Sequence, residues 1–340
     1  MHDTNSKISL LESCREFYAP VWEEMLRVEA ELQETISSND AFTTRVSCHG
    51  FQLSGKRMRP ALLLLFAQAV GEIRPAHILL AAAGEMVHTA SLIHDDILDE
   101  AAERRHLPTV NRLWNNETSV LLGDFFVARA IRKVTSLQNP EFSHIFAEAC
   151  CRLCEGEMRQ VGSRGDYDLS EEKYNTIIAD KTAALFECVC RLGVLAAFTD
   201  DSPAMNHPLV SAAARFGNYL GMAFQIVDDL LDICGDEENM GKSLGTDLEK
   251  QKITLPVIRF LNRLPAEEKS AFIAELQHGD SCELRFSLRR RMAASGVEDE
   301  VLGVAENYLS LAVAELADFP ESDATKSLLA ISRFVTERKK

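Results

Sequence analysis

Two aspartate clusters of the same design lie far apart in the chain: HDDILDE, with Asp95, Asp96 and Asp99, and VDDLLD, with Asp228, Asp229 and Asp232. Each reads DDxxD, and there is no third copy. Both lie in long apolar stretches with helical periodicity, and positions i and i+4 of a helix share one face. Asp95 and Asp99 therefore project together, as do Asp228 and Asp232. Like charges on one face destabilise a helix, so the pattern predicts cations that offset the repulsion. Mg2+ suits that task, because it takes oxygen ligands and bridges carboxylates to phosphate oxygens.

The chain around the first cluster is basic. SGKRMRP carries Lys56, Arg57 and Arg59 beside Gly55, His88 stands seven residues before Asp95, and ERRHLPT supplies Arg104 and Arg105. Surface ion pairing with the aspartates is the plain alternative, but exposed pairs contribute little and would not require two acidic clusters. The arrangement fits two anions, one held by aspartates through metal and one held directly by Lys and Arg, whose planar guanidinium matches phosphate. Taken singly, His88 reads as a core histidine, Gln225 says nothing, and Lys242 and Lys252 are solvated charges. Arg57 is the weakest of the basic group and fits a salt bridge.

These residues must be positioned by helices. Amphipathic stretches fit 6–38 (with a break at Pro20), 58–71, 75–100, 117–138, 141–163, 170–199, 207–235, 248–263, 267–278, 282–295, 298–318 and 322–338. Turn chemistry falls between them at Gly55, Pro108, Gly162 to Gly165 and Gly235 to Gly245, and no strand alternation stands out. The expectation is an all-α chain, a single domain over 1–340, built as one helical bundle.

A net charge of −16, with 52 acidic against 36 basic residues, argues against nucleic acid or an anionic membrane as the main partner. No uninterrupted apolar run reaches the ~18 residues of a membrane span, and the first residues lack a signal-peptide pattern. Nine cysteines show no framework spacing, which predicts a reduced, cytoplasmic setting. Cys151 and Cys154 alone do not complete a zinc set.

Taken together, GKRMRP, HTASLIHDDILDE, ERRHLPTVN, DKTAALF, FQIVDDLLD and GKSLGTDLEKQKITLP, in this order over 55–258, resemble the trans-isoprenyl diphosphate synthase (polyprenyl synthetase) family. The resemblance implies about a dozen helices around a deep central cavity and a homodimer as the assembly. It implies a reaction in which an allylic diphosphate ionises and the double bond of isopentenyl diphosphate attacks the cation. By the same resemblance Asp95, Asp99 and Asp228 are the main ligands of Mg2+, with Asp96, Asp229 and Asp232 completing the clusters, and about three ions bind per site. Arg104 resembles the arginine on the allylic diphosphate. Lys56, Arg59, His88 and Arg105 resemble the isopentenyl diphosphate site. Lys181, Thr182, Gln225, Lys242 and Lys252 resemble the residues that steady the allylic diphosphate and the cation. Two positions depart from the family pattern. Ser54 replaces a frequent Gly, and Gln251 replaces the usual Gly before Lys252, where Gly would give access to positive φ.

Ser91, Ala90 and Val87 stand four, five and eight residues before Asp95, and Val87 lies ~12 Å from it along a helix axis. In the family, Phe or Tyr just before the first aspartate blocks the growing chain and gives short products. Small residues here resemble the long-chain synthases, with products of about 35 to 50 carbons in a tunnel several helical turns deep. Phe125 and Phe126 are candidates for its floor. Competing readings are a farnesyl or geranylgeranyl diphosphate synthase, a terpene cyclase, a non-catalytic synthase subunit, and a di-iron bundle using Glu85-x-x-His88 and Glu141-x-x-His144.

Overall fold

The computed structural model describes residues 14–53, 55–198, 207–235, 244–279 and 281–337; Ser54 and Lys242 lie outside the described residues. Helices dominate, as the periodicity predicts. A 3-10 turn (Ala19–Val21) marks the break at Pro20 and leads into α1 (Trp22–Ile36). Next come α2 (Ala41–Gln52), α3 (Met58–Val70) and α4 (Pro75–Leu98). α2 is not predicted by the periodicity; its β-branched and Gly residues are poor helix formers. Asp40 nonetheless caps it, accepting from Thr43 N at 2.6 Å.

After α4 a two-residue hairpin, also unpredicted, pairs β1 (Glu103–Arg104) with β2 (Leu107–Pro108). Then follow α5 (Val110–Leu113), α6 (Asn116–Ser136), α7 (Pro140–Gly162) and α8 (Glu171–Ile178). α8 runs through a π-helical segment (Ala179–Ala183) into α9 (Ala184–Leu195). The long α10 is Pro208–Cys234. The stretch predicted as one helix over 248–263 is two, α11 (Thr246–Glu249) and α12 (Leu255–Arg263). Pro256 explains the split, because proline is tolerated in the first turn of a helix and not in its interior. The chain continues as α13 (Ala266–His278), α14 (Ser281–Ser295), α15 (Val297–Ala314) and α16 (Asp323–Glu337).

The chain forms two compact units, interleaved in sequence. The first is Met1–Cys150, Leu185–Gly217 and Val313–Ile331; the second is Cys151–Ala184, Asn218–Ala312 and Ser332–Lys340. In the first unit α4 is the central helix. It packs against α1, α3 and α6, and Gly84 lies so close to α9 that a Cβ there would meet Val189 at 2.8 Å. α4 has the length and apolarity of a membrane span, yet most of it is buried by protein, as an interior helix of this composition must be. Phe66 makes edge contacts with Phe216 (5.1 Å) and Phe319 (5.3 Å). In the second unit Phe260 of α12 meets Phe272 of α13 at 5.1 Å, and Arg259 pairs with Glu171.

His77, in the first turn of α4, is fully buried. Its Nδ1 accepts from Arg74 N at 2.8 Å, and its Nε2 lies 3.2 Å from Gly193 O. Burial lowers its pKa to about 4. The unfolded chain, near 6.5, therefore binds the extra proton first, and this contribution to stability falls as pH drops from 6.5 towards 4. Replacing it by Gln keeps a donor and an acceptor and removes the titration. Urea unfolding of His77→Gln at pH 7 and pH 5 is expected to show about 2 kcal/mol less loss than the wild type. Equal losses in both proteins would contradict a neutral buried His77.

Candidate active site

The first aspartate cluster sits on the last turn of α4 in the first unit. Asp96 is 2% exposed, and its Oδ1 accepts from Arg104 Nε (2.9 Å) and Nη2 (2.8 Å). Burial raises the Asp96 carboxyl and Arg104 opposes the rise. Asp96 Oδ2 is buried and accepts no hydrogen bond. Asp95 and Asp99 are half-buried and stand one turn apart, with Asp99 N donating to Asp95 O at 2.8 Å.

The hairpin delivers both arginines. Arg105 and His106 have φ of 56° and 61°, the left-handed pair that a tight hairpin turn requires. Strained non-Gly residues of this kind concentrate at functional sites. Arg104, at the end of β1, reaches Asp96. The guanidinium of Arg105 lies 2.2 Å from where a Cβ on Gly55 would stand, so the absence of a side chain at Gly55 lets that arginine approach the segment carrying Lys56 and Arg59.

Arg59 is 8% exposed, lies over Phe186 at 4.3 Å, and has a buried Nε with no hydrogen-bond partner. Burial lowers its pKa to about 10, with Glu85 opposing. Lys56 is exposed, and its carbonyl accepts from the Tyr18 hydroxyl at 2.8 Å. Arg57 instead turns inward and pairs with Glu29 and, at 2.9 Å, with Glu85, the salt-bridging role expected of it. That pairing commits Glu85, so the di-iron reading loses one of its carboxylates. His88 is half-buried. Burial first, then the charges of Arg59, Arg105 and Arg104, hold its pKa well below the usual value. It is a neutral hydrogen-bonding group among cations.

In the second unit a continuous hydrogen-bond chain links three sequence-predicted residues and one unpredicted one. Thr182 Oγ1 donates to Gln225 Oε1 at 2.6 Å, and Gln225 Nε2 donates to Asp229 Oδ1 at 2.7 Å. The phenol of Tyr174 donates to Asp229 Oδ2 at 2.6 Å. Burial, then the charge of Asp247, raises the Asp229 carboxyl to about 8, with the Tyr174 and Gln225 hydrogen bonds opposing. Asp232, 2% exposed, accepts from Thr246 Oγ1 (3.2 Å) and Asp247 N (3.1 Å). Asp228 is the half-buried member of this cluster.

Lys181 and Thr182 belong to the π-helical segment, a distortion often found at functional sites. Gly156 of α7 permits its close approach: a Cβ there would lie 2.3 Å from Lys181 N. Lys181 Nζ is 2.5 Å from Glu157 and 2.7 Å from Gln160 Oε1. Lys252 is buried, 3.5 Å from Asp247 Oδ1. Gln251 adopts φ 52° without being glycine, at roughly 1–2 kcal/mol, and its carbonyl accepts from Gly165 N at 2.9 Å.

Arg285 also went unread in the sequence. It is buried and donates to Ile233 O (3.2 Å) and Gly235 O (2.7 Å), satisfying carbonyls at the end of the helix that bears the second cluster. Tyr174 had a faint signal, since it precedes Lys181 by seven residues and so shares its helix face; Arg285 had none.

The donor set suits a hard cation. It is all carboxylate, Asp96 keeps a buried unused oxygen, and the raised Asp96 and Asp229 carboxyls mark places where a cation would be stabilising. Among the described residues no three His, Cys, Asp or Glu side chains form a ready metal cage. Mg2+ sites commonly have that property, because substrate phosphate oxygens complete them. Cys151 and Cys154 are exposed on α7 and form no such group. On α4, Val87 and Ala90 are buried and Ser91 is half-buried. Phe126 is buried against Phe51 at 5.9 Å, and Phe125 lies under Arg129 at 4.9 Å.

The family model for polyprenyl synthetase matches residues 41–286. The chain is 35% identical over 325 residues to the all-trans-nonaprenyl-diphosphate synthase (geranyl-diphosphate specific) of Rhodobacter capsulatus, covering 95% of this chain and 98% of that protein. It is 33% identical over 317 residues to the octaprenyl diphosphate synthase of Escherichia coli K12, covering 93% and 96%. Among solved structures it resembles a polyprenyl synthase from Caulobacter crescentus, complexed with calcium and isoprenyl diphosphate. The TM-score is 0.89 at 30% identity, over 96% of this chain and 98% of that one.

Proposed function

The chain belongs to the polyprenyl synthetase family, and we propose that it condenses isopentenyl diphosphate with an allylic diphosphate to make a long-chain trans-polyprenyl diphosphate. The observation that carries the reading is the pairing of two anion holders in the first unit. The half-buried carboxylates Asp95 and Asp99 stand on the same helix as His88, whose neutral form is favoured by burial and by the charges of Arg59, Arg105 and Arg104. The nonaprenyl and octaprenyl products named for the two relatives agree with small residues at Val87, Ala90 and Ser91. Both units contribute residues to the matched span, and in this reading they make one catalytic domain over 1–340.

Asp95, Asp99 and Asp228 would hold the magnesium ions of the allylic diphosphate, and Asp96, Asp229 and Asp232 would complete the two clusters. Bound Mg2+ supplies neutralisation of the charge that develops on the departing diphosphate. Arg104, Lys181 and Lys252 stabilise the same charge by hydrogen bonds and proximity, and Lys242, outside the described residues, is assigned to the same task by the family pattern alone. Arg59, Arg105, Lys56 and neutral His88 hold the diphosphate of isopentenyl diphosphate. When the C1–O bond breaks, its electron pair leaves with the diphosphate. The isopentenyl double bond then forms the new carbon–carbon bond, and a proton is lost to the released diphosphate. Thr182 and Gln225 face the developing cation with oxygen dipoles. A homodimer and a cytoplasmic setting complete the reading; a light-scattering mass of one chain would remove the dimer.

The test is elongation by the purified chain with Mg2+, labelled isopentenyl diphosphate, and geranyl or farnesyl diphosphate. A ladder ending at a long trans-polyprenyl diphosphate is expected. No elongation by the chain alone overturns the reading in favour of a subunit, and a cyclised hydrocarbon favours a terpene cyclase.

A further inference from the structure

A primary amide can sit either way round in its site, because its oxygen and nitrogen have nearly the same shape. Gln225 has its orientation decided by neighbours. Its Nε2 donates to Asp229 Oδ1 at 2.7 Å and its Oε1 accepts from Thr182 at 2.6 Å. Asp229 in turn would be free to rotate about its own side chain, exchanging its two oxygens or turning from the amide. Tyr174 prevents that, donating to Asp229 Oδ2 at 2.6 Å from a phenol that is 3% exposed. The three links end on the π-helical segment that carries Thr182 and Lys181.

We propose that Tyr174 is a positioning residue: by taking one oxygen of Asp229 it fixes the amide of Gln225, whose oxygen is thereby presented beside Thr182 where the allylic cation forms. This inference rests on the prenyltransfer reading above for the cation, and on the hydrogen-bond chain for the orientation. Asp229 serves as the link between Tyr174 and Gln225, accepting one hydrogen bond on each oxygen. Tyr174 itself touches no reacting atom. Its effect passes through the amide, so it changes the rate of ionisation and leaves substrate binding nearly alone.

Two measurements test it. In the first, the side-chain amides of glutamine are labelled with 15N, and the Gln225 signal is identified by its loss in Gln225→Leu. Tyr174→Phe is expected to shift or broaden that signal in the substrate-free protein; an unchanged signal in a folded Tyr174→Phe overturns the proposal whatever reaction the enzyme performs. In the second, Tyr174→Phe is expected to lower kcat about tenfold (about 1.4 kcal/mol) with KM for both diphosphates within about twofold. The same substitution made in Gln225→Leu should then cost no further rate, because the two act in series. A full tenfold loss in that background, or a rise in KM with kcat kept, overturns the proposal and assigns Tyr174 a packing role. A wild-type chain that shifts the amide as described yet does not elongate isopentenyl diphosphate would fault the function and leave the positioning intact.

Discussion

Asp228→Asn is expected to lower kcat by about a thousandfold at saturating Mg2+, the scale of losing one strong charge-stabilising group at a reacting centre. The three carboxylates of the second cluster are chemically alike in sequence and different in place. Asp229 is buried between Tyr174 and Gln225, and Asp232 is buried beneath Thr246 and the Asp247 amide. Asp228 alone of the three is half-buried. Replacing it by Asn keeps size and hydrogen-bonding capacity and removes the negative charge a divalent ion needs. The contrast is Asp232→Asn, whose main effect should fall on thermal stability, since it caps α11 and accepts two local donors. Steady-state kinetics across a Mg2+ titration, with unfolding curves of both variants, measures the difference. Wild-type turnover in Asp228→Asn would sink its assignment as a ligand.

The second large effect is on product length. Ala90→Phe is expected to shorten the main product by at least one isoprene unit, with turnover largely kept. Ala90 is 1% exposed and lies one helical turn before His94, whose ring rests against Gly123 of α6. A benzyl group there must occupy space beside α6, at ~7 Å from Asp95 along the axis. If that space is the path of the growing chain, the ring ends the path early. If it is packed core, the extra volume costs about 1–3 kcal/mol and the product ladder stays as it was. Chromatography of the labelled products, read beside a urea midpoint, separates the two. An unchanged ladder with a lowered midpoint would remove the tunnel from this face of α4.

Much of the site was legible in the sequence because it is written in short helical spacings. DDxxD places its first and last carboxylates on one face by helix geometry alone, and in the first cluster the structure leaves Asp95 and Asp99 half-buried and Asp96 inside. Arg57 forms the salt bridge its sequence context suggests, with Glu85, a residue that the sequence offers only in the competing di-iron pattern. The hairpin carrying Arg104 and Arg105 was not legible. Its turn uses Arg105 and His106 where Gly or Asn would have announced positive φ. Gln251 hid a left-handed residue for the same reason. The π-helical segment was read as plain helix, since one extra residue in a turn leaves no mark on apolar periodicity.

The sequence by itself determined an all-α chain, the members of both aspartate clusters, and the basic residues that accompany them. Each of these depends on composition and on separations of a few residues, which helix geometry converts directly into position. Only the tertiary structure decided which carboxylates are committed, that Tyr174 and Arg285 serve the second cluster, and that Gly55 and Gly156 are there for closeness of approach. Those facts depend on contacts between segments tens of residues apart: Tyr174 with Asp229, Arg285 with Ile233, Gly55 with Arg105. No local spacing encodes such contacts, because they are settled by how the helices pack and by what remains buried once they have.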